Sequence, residues 1–155
     1  MRLYLLQHGE ALPKTQDPER PLSAQGRSDL ERLAAWLGRT GVRVAQVRHS
    51  GKTRAAQSAG ILAAQVAPGG AIEAMTGINP DDSPAPLADQ AAHWDQDCLL
   101  VGHLPFMAKA ASLLLCGDPE RVALLFRPGT LVVLERNGTG SWGLVSMIRP
   151  DWWAN

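Results

Sequence analysis

Short apolar runs alternate with longer segments of helical period along almost the whole of this sequence. Leu3 to Leu6 is the first compact apolar run. Leu30, Leu33, Ala34 and Leu37 then recur at i, i+3, i+4 and i+7, the spacing of one helix face. Ser23 is placed to cap that helix, and Gly38 or Gly41 to stop it. Val42, Val44 and Val47 suggest a second strand. Residues 50 to 67 read as a helix whose face is mostly small: Ala55, Ala56, Ala59, Leu62 and Ala63. A short strand over 71 to 75, a proline-broken loop over 76 to 86 and a short helix over 87 to 94 follow. Residues 98 to 101 read as a buried strand and 105 to 116 as a helix. Strands are expected over 122 to 126, 131 to 136 and 142 to 148, with Asn137-Gly138 as the hairpin signal between the last two. This order predicts an α/β fold: three layers, α/β/α, around a mostly parallel central sheet with an antiparallel pair at the end.

The chain has 155 residues, enough for a single domain over 1 to 155 and too few for two. Lys plus Arg equals Asp plus Glu at 15 each, so the total carries no electrostatic footprint for nucleic acid. No stretch approaches the roughly 20 apolar residues of a membrane span. The first apolar run is too short for a signal peptide. A cytoplasmic protein is expected, with no nucleic-acid or membrane partner and a monomer favoured. Cys98 and Cys116 lie in separate apolar segments and form no CxxC, so two reduced core thiols are expected and no zinc site. No metal and no cofactor are expected.

Three of the expected strands end alike: in Gln7-His8-Gly9, in Arg48-His49-Ser50 and in Gly102-His103. Ligands of open α/β sheets bind outside the carboxyl ends of the strands, which parallel strands bring to one edge. The pattern predicts histidines converging there, although a lone histidine at a strand end is often only a polar cap. His93, beside Trp94 in a short helix, reads as a surface residue. Arg54 and Lys52 stand at the start of the second helix, where the macrodipole favours acids. Either both are solvated, or an anion binds there between N–H groups and a guanidinium fork. Gly9 and Gly102 would let such an anion approach the backbone. In the tail, Trp152 and Trp153 either fold back on the core or mark a partner surface.

"LQHGEA", "HSGKTRAAQSA" and "LLVGHLP", in this order and at these separations, resemble the histidine phosphatase superfamily, whose signature Arg-His-Gly ends the first strand. Length and "DPERPLSAQG" are similar to its small SixA-type branch of phosphohistidine phosphatases. The resemblance runs from Arg2 to about Ile148 and implies a phosphoglycerate-mutase-like fold. It implies that His8 is the nucleophile that takes the phosphoryl group. His103 is implied as the second pocket histidine, Arg54 as a pocket arginine, and Arg20, with Asp17 before it, as a further pocket pair. Glu10 matches an acidic position after the glycine.

Gln7 departs from the pattern, standing where the superfamily has arginine. A charge-assisted contact to phosphate is worth about 1.5–3 kcal/mol, and a neutral amide gives one NH₂ donor instead of a fork. Three outcomes stay open: Lys52, Arg20 or Arg48 replaces the charge, the substrate's phosphate carries less charge, or the protein binds phosphorylated ligands without turning them over. Three functions remain open on these residues. One is a metal-independent phosphohistidine protein phosphatase, whose partner is a phosphotransfer domain or phosphocarrier in phosphotransfer signalling. The second is a catalytically weak module that binds phosphate or phosphohistidine. The third is a phosphomonoesterase for a small phosphorylated substrate, which would need an acid from Glu10, Asp81 or Asp82 to protonate the leaving alkoxide.

Overall fold

A computed structural model describes residues 1–121 and 124–152. Its elements in chain order are β1 (Arg2–Gln7), α1 (Ala24–Arg39), β2 (Gln46–His49), α2 (Thr53–Val66), β3 (Ile72–Ala74), α3 (Ala85–Ala91), β4 (Cys98–Gly102), α4 (Phe106–Cys116), β5 (Leu131–Arg136) and β6 (Trp142–Ile148), then a 3₁₀ turn over Pro150–Trp152. The strands form one sheet in the order β3-β2-β4-β1-β5-β6. β1, β2, β3 and β4 are mutually parallel, and β5 runs antiparallel to both β1 and β6. The α/β/α expectation and the terminal antiparallel pair are thus what the chain forms.

The pleat of β1 explains the two covering layers. Tyr4 and Leu6 point to one face, where α1 and α2 pack through Leu30, Leu33, Leu37, Ala55, Ala59 and Leu62. Leu3 and Leu5 point to the other, against Leu87 of α3 and Phe106, Met107, Ala110 and Ala111 of α4. The alanine face of α2 lets its backbone lie close to the sheet. The Ser23 hydroxyl caps α1 by accepting from the N–H of Gly26 at 3.0 Å. Ile78 is fully buried and anchors the proline-rich loop before α3.

Several expectations need correction. No strand forms over Leu124–Phe126; Val122 and Ala123 of that stretch lie outside the described residues. β5 is paired on both sides, by β1 and β6, so no ladder is left there for 124 to 126. Leu124 and Phe126 pack against the α3/α4-side cluster instead. β2 begins only at Gln46, because its neighbour β4 begins at Cys98, which pairs with Gln46. Val42 and Val44 overhang that pairing and pack on the core as loop. The β5–β6 loop is longer than a two-residue turn: Asn137 Oδ1 accepts from the N–H groups of Thr139 and Ser141, both at 3.0 Å, and Gly140 takes the positive φ. Cys98 is buried, as expected, and burial pushes its thiol up to about 11. Cys116 is exposed, because α4 ends there and Gly117 turns the chain out in the left-handed conformation. Trp152 is 74% exposed and does not fold back on the core, and Trp153 lies outside the described residues.

Candidate active site

The carboxyl ends of β1, β2 and β4 meet at one edge of the sheet, and backbone hydrogen bonds fix their relative heights. His8 N–H donates to Gly102 O at 3.0 Å, and Ser50 N–H donates to Val101 O at 3.2 Å. A turn before β5 closes the third side. Gln7 N–H donates to Thr130 O at 3.0 Å, while Gly129 N–H donates back to the carbonyls of Gln7 and His8. Gly129 adopts φ +79°, a conformation few other residues take readily.

His8 and His103 face each other with ring centroids 4.9 Å apart. The hydrogen bonds of His8 define its tautomer. Its Nδ1 lies 2.7 Å from the carbonyl of Gly9, which can only accept, so Nδ1 carries the proton. Arg54 Nε–H donates to Nε2 at 3.1 Å, so Nε2 holds the lone pair. The lone pair of His8 Nε2 and a guanidinium N–H are therefore in direct contact, and an incoming phosphoryl group takes the place of that bond. Burial, with Arg54 and Arg20 adding like charge, lowers His8 to about 4. His103 is 2% exposed; burial, then His8, Arg54, Lys52 and Arg20, lower it to about 3. Both rings are neutral at pH 7. Among the described residues every charged side chain that acts on the two rings is a cation, and no carboxylate offsets them.

Arg54 sits in the first turn of α2, as the spacing predicts. Burial, with Arg20 nearby, lowers its own pKa from the usual value. Arg20 reaches the site from a tied loop. Leu12 N–H donates to Pro21 O at 2.8 Å, Ala11 and Leu22 form a β-bridge, and Leu22 N–H donates to Gln57 Oε1 on α2 at 2.8 Å. Asp17 builds the last turn of this loop: its Oδ1 accepts from Glu19 N–H and its carbonyl from Arg20 N–H. Arg20 adopts φ +50°, rare for a residue with a side chain, and its Nε–H donates to Leu12 O at 3.2 Å.

Other expected residues lie elsewhere. Glu10 accepts from the Ser23 hydroxyl at 2.7 Å and so serves the start of α1. Asp82 accepts from Asn79 N–H at 2.7 Å inside its own turn, and Asp81 is exposed there. The Arg48 guanidinium lies over the Trp94 ring, 5.0 Å from its centroid. His49 Nδ1 accepts from Gly51 N–H at 3.0 Å, within the β2–α2 turn. His93 is exposed beyond the end of α3. The space that Gly9 leaves open belongs to α1, since a Cβ there would lie 2.8 Å from Leu30 Cδ1 and 3.0 Å from Gly26 O. A Cβ on Gly102 would run into Met107 of α4. Helix packing, not close approach of a ligand, requires both glycines. Gln7 is 7% exposed, and among the described residues its Oε1 has no hydrogen-bond partner; neither does Nδ1 of His103.

Two serines complete the site without having been singled out in the sequence. Ser50 Oγ lies 2.5 Å from His103 Nε2. Ser58 Oγ donates to Arg54 O at 2.7 Å and accepts from Gly9 N–H at 3.1 Å, tying the nucleophile's loop to the arginine's helix. Ser58 is fully buried in the alanine stripe of α2, four residues after Arg54, and only that spacing from Arg54 could have pointed to it in the sequence. Among the described residues no group of three or more His, Cys, Asp or Glu is placed to hold a metal ion, and no helix is long and apolar enough to cross a membrane.

No protein-family model and no curated protein matches the sequence. Solved structures do match the fold. The protein histidine phosphatase SixA in complex with tungstate superposes with a TM-score of 0.86 at 19% identity, covering 99% of this chain and 100% of that one. A protein from Agrobacterium tumefaciens, assigned as a phosphohistidine phosphatase SixA, gives 0.77 at 24% identity over 96% and 97%. A phosphoserine phosphatase from Entamoeba histolytica, in complex with 3-phosphoglyceric acid, gives 0.70 at 14% identity over 96% of each. The chain has the fold of these histidine phosphatases and spans 100% and 97% of the two SixA structures.

Proposed function

We propose that this protein is a metal-independent phosphatase that acts through a phosphohistidine on His8, and that its substrate is a phosphohistidine carried by a protein. The observation that carries the reading is the His8 ring itself: Nδ1–H held by Gly9 O, the Nε2 lone pair beside Arg54, and only cations acting on it. A neutral imidazole of fixed tautomer is a competent phosphoryl acceptor. Phosphoryl transfer needs positive charge around the equatorial oxygens more than it needs covalent help. His8 Nε2 attacks phosphorus, the N–P bond of the substrate breaks with its electron pair going to the leaving imidazole, and that imidazole takes a proton from water. Water then attacks phosphorus and gives up a proton to solvent, the His8 N–P bond breaks with its electron pair returning to Nε2, and phosphate leaves. His103 is neutral before phosphate enters; a bound dianion favours its protonated form and turns it into a charged donor.

The leaving group follows from the carboxylates. An alkoxide must be protonated as it leaves, whereas imidazole is a far better leaving group. Glu10 and Asp82 are engaged with Ser23 and Asn79, and among the described residues no carboxylate acts on the His8–His103 pair. The arrangement favours an N–P bond over an alkyl phosphate ester. Gln7 is the observation that favours the binding-module reading, since it removes a charge from the end of β1.

The test is phosphate release from a histidine-phosphorylated carrier protein, with chelator present, by wild type and His8→Ala. Release that disappears in the variant supports the reading. Equal release by both, or none by either, overturns it; tight phosphate binding without release selects the binding module.

A further inference from the structure

Gln7 leaves the end of β1 without a cation, and Arg48 cannot supply one. Its guanidinium is committed to the Trp94 ring at 5.0 Å. Val47 faces the α1/α2 cluster, so the pleat turns Arg48 to the opposite face of the sheet.

Lys52 is differently placed. It is the N-cap residue of α2, exposed, with extended backbone (φ −71°, ψ 143°). An N-cap position favours Ser, Thr, Asp or Asn, whose oxygen would accept a helix N–H. Lysine has no acceptor, and α2 has no side-chain cap bond and no acid in its first turn. Two cations, Lys52 and Arg54, instead stand at the positive end of the helix dipole, against the usual preference. A local rule broken twice with no local gain points to a function. The flanking residues locate it. Two positions before Lys52, Ser50 Oγ lies 2.5 Å from His103 Nε2; two positions after, Arg54 Nε lies 3.1 Å from His8 Nε2. The backbone of Lys52 therefore lies between two residues that touch the two histidines, and its charge is one of those that act on His103. His103, the histidine that the Lys52 charge acts on, is 2% exposed and keeps Nδ1 without a hydrogen-bond partner among the described residues, and so does Oε1 of Gln7 at the end of β1.

We propose that Lys52 is a phosphoryl-binding residue of this site, closing from the α2 N-terminus over the oxygens that no β1 arginine holds. The assignment rests on the phosphatase reading. A lysine supplies this charge as a point on a flexible stem. Arriving from the exposed rim, it suits a phosphoryl group delivered on a protruding side chain.

The test reads binding of inorganic phosphate and is independent of turnover. Wild type, Lys52→Met, Lys52→Arg, Gln7→Arg and the double variant Gln7→Arg/Lys52→Met are titrated with inorganic phosphate by calorimetry, with thermal melting as the check on folding. Lys52→Met is expected to weaken binding about tenfold, the lower end for a charged hydrogen bond. Lys52→Arg should retain most of the affinity. With Gln7→Arg present, the Lys52→Met loss should shrink severalfold, because the two cations serve the same oxygens. Unchanged phosphate affinity in a folded Lys52→Met overturns the assignment and leaves the phosphatase reading standing. So does a loss of the same size in both backgrounds. If wild type itself binds no phosphate at millimolar concentration, the phosphatase reading fails, and this assignment with it.

Discussion

Ser50 Oγ lies 2.5 Å from Nε2 of His103, and this bond joins the end of β2 to the end of β4 across the site. His103 makes no other side-chain hydrogen bond among the described residues, and its Nδ1 is buried without a partner. The orientation of the ring therefore depends on one hydroxyl. Ser50→Ala should lower kcat about tenfold, the worth of one lost hydrogen bond in an apolar setting, with a smaller change in KM. Ser50→Thr keeps the hydroxyl and should restore most of it. Equal kcat in wild type and a folded Ser50→Ala would show that packing alone holds the ring.

The pH dependence follows from two depressed histidines. A free imidazole loses half of its base at pH 6.5, whereas His8 is lowered to about 4 by burial and by Arg54 and Arg20. The acid limb of kcat/KM reports the free enzyme's base. On an acid-stable aryl phosphate that limb should fall below pH 5, and a limb near 6.5 would contradict the burial of His8. Stability falls in the same direction but begins to fall at higher pH. Both rings bind fewer protons folded than unfolded, so the native state loses stability as pH falls from 6.5 toward about 4 for His8 and about 3 for His103. Melting temperature should drop over this range, and less steeply in His103→Gln.

The layers were legible because period 2 and period 3.6 alternate in the sequence, and so was the edge where His8, Arg54 and His103 meet. Three things were not. Leu124 to Phe126 has strand composition, but strand formation needs a free ladder, and β1 and β6 occupy both sides of β5. Gly9 and Gly102 were legible as positions with no room for a Cβ, yet what fills that room is set by α1 and Met107, which the local sequence does not encode. Ser50 and Ser58 are ordinary residues until the fold brings them to His103 and Gly9 from 53 and 49 positions away. Tertiary placement, not residue type, made them part of the site.

Gly9 gives a direct test of the helix-packing role. Gly9→Ala would place a Cβ 2.8 Å from Leu30 Cδ1 and 3.1 Å from Leu22 Cδ2. Overpacking of this kind costs about 1–3 kcal/mol. Part of it should return in Gly9→Ala/Leu30→Val, which removes the nearest methyl. Denaturant titration of the three proteins decides the matter. A Gly9→Ala protein as stable as wild type would mean that α1 yields more easily than its contacts suggest.

Arg20 separates charge from backbone strain. It adopts φ +50° directly before Pro21, and its guanidinium acts on His8, His103 and Arg54. Arg20→Ala and Arg20→Gly both remove the guanidinium and its bond to Leu12 O, but only glycine relieves the left-handed backbone. Arg20→Gly should therefore be more stable than Arg20→Ala by about 1 kcal/mol. Phosphate affinity should fall to the same extent in both, since both lose the same charge. In both, the acid limb of the pH profile should move upward, because one of the cations that hold His8 low is gone. If Arg20→Gly kept the affinity that Arg20→Ala lost, the strained loop geometry would matter to the site and the charge would not; the common loss is what identifies Arg20 as a group that meets the anion.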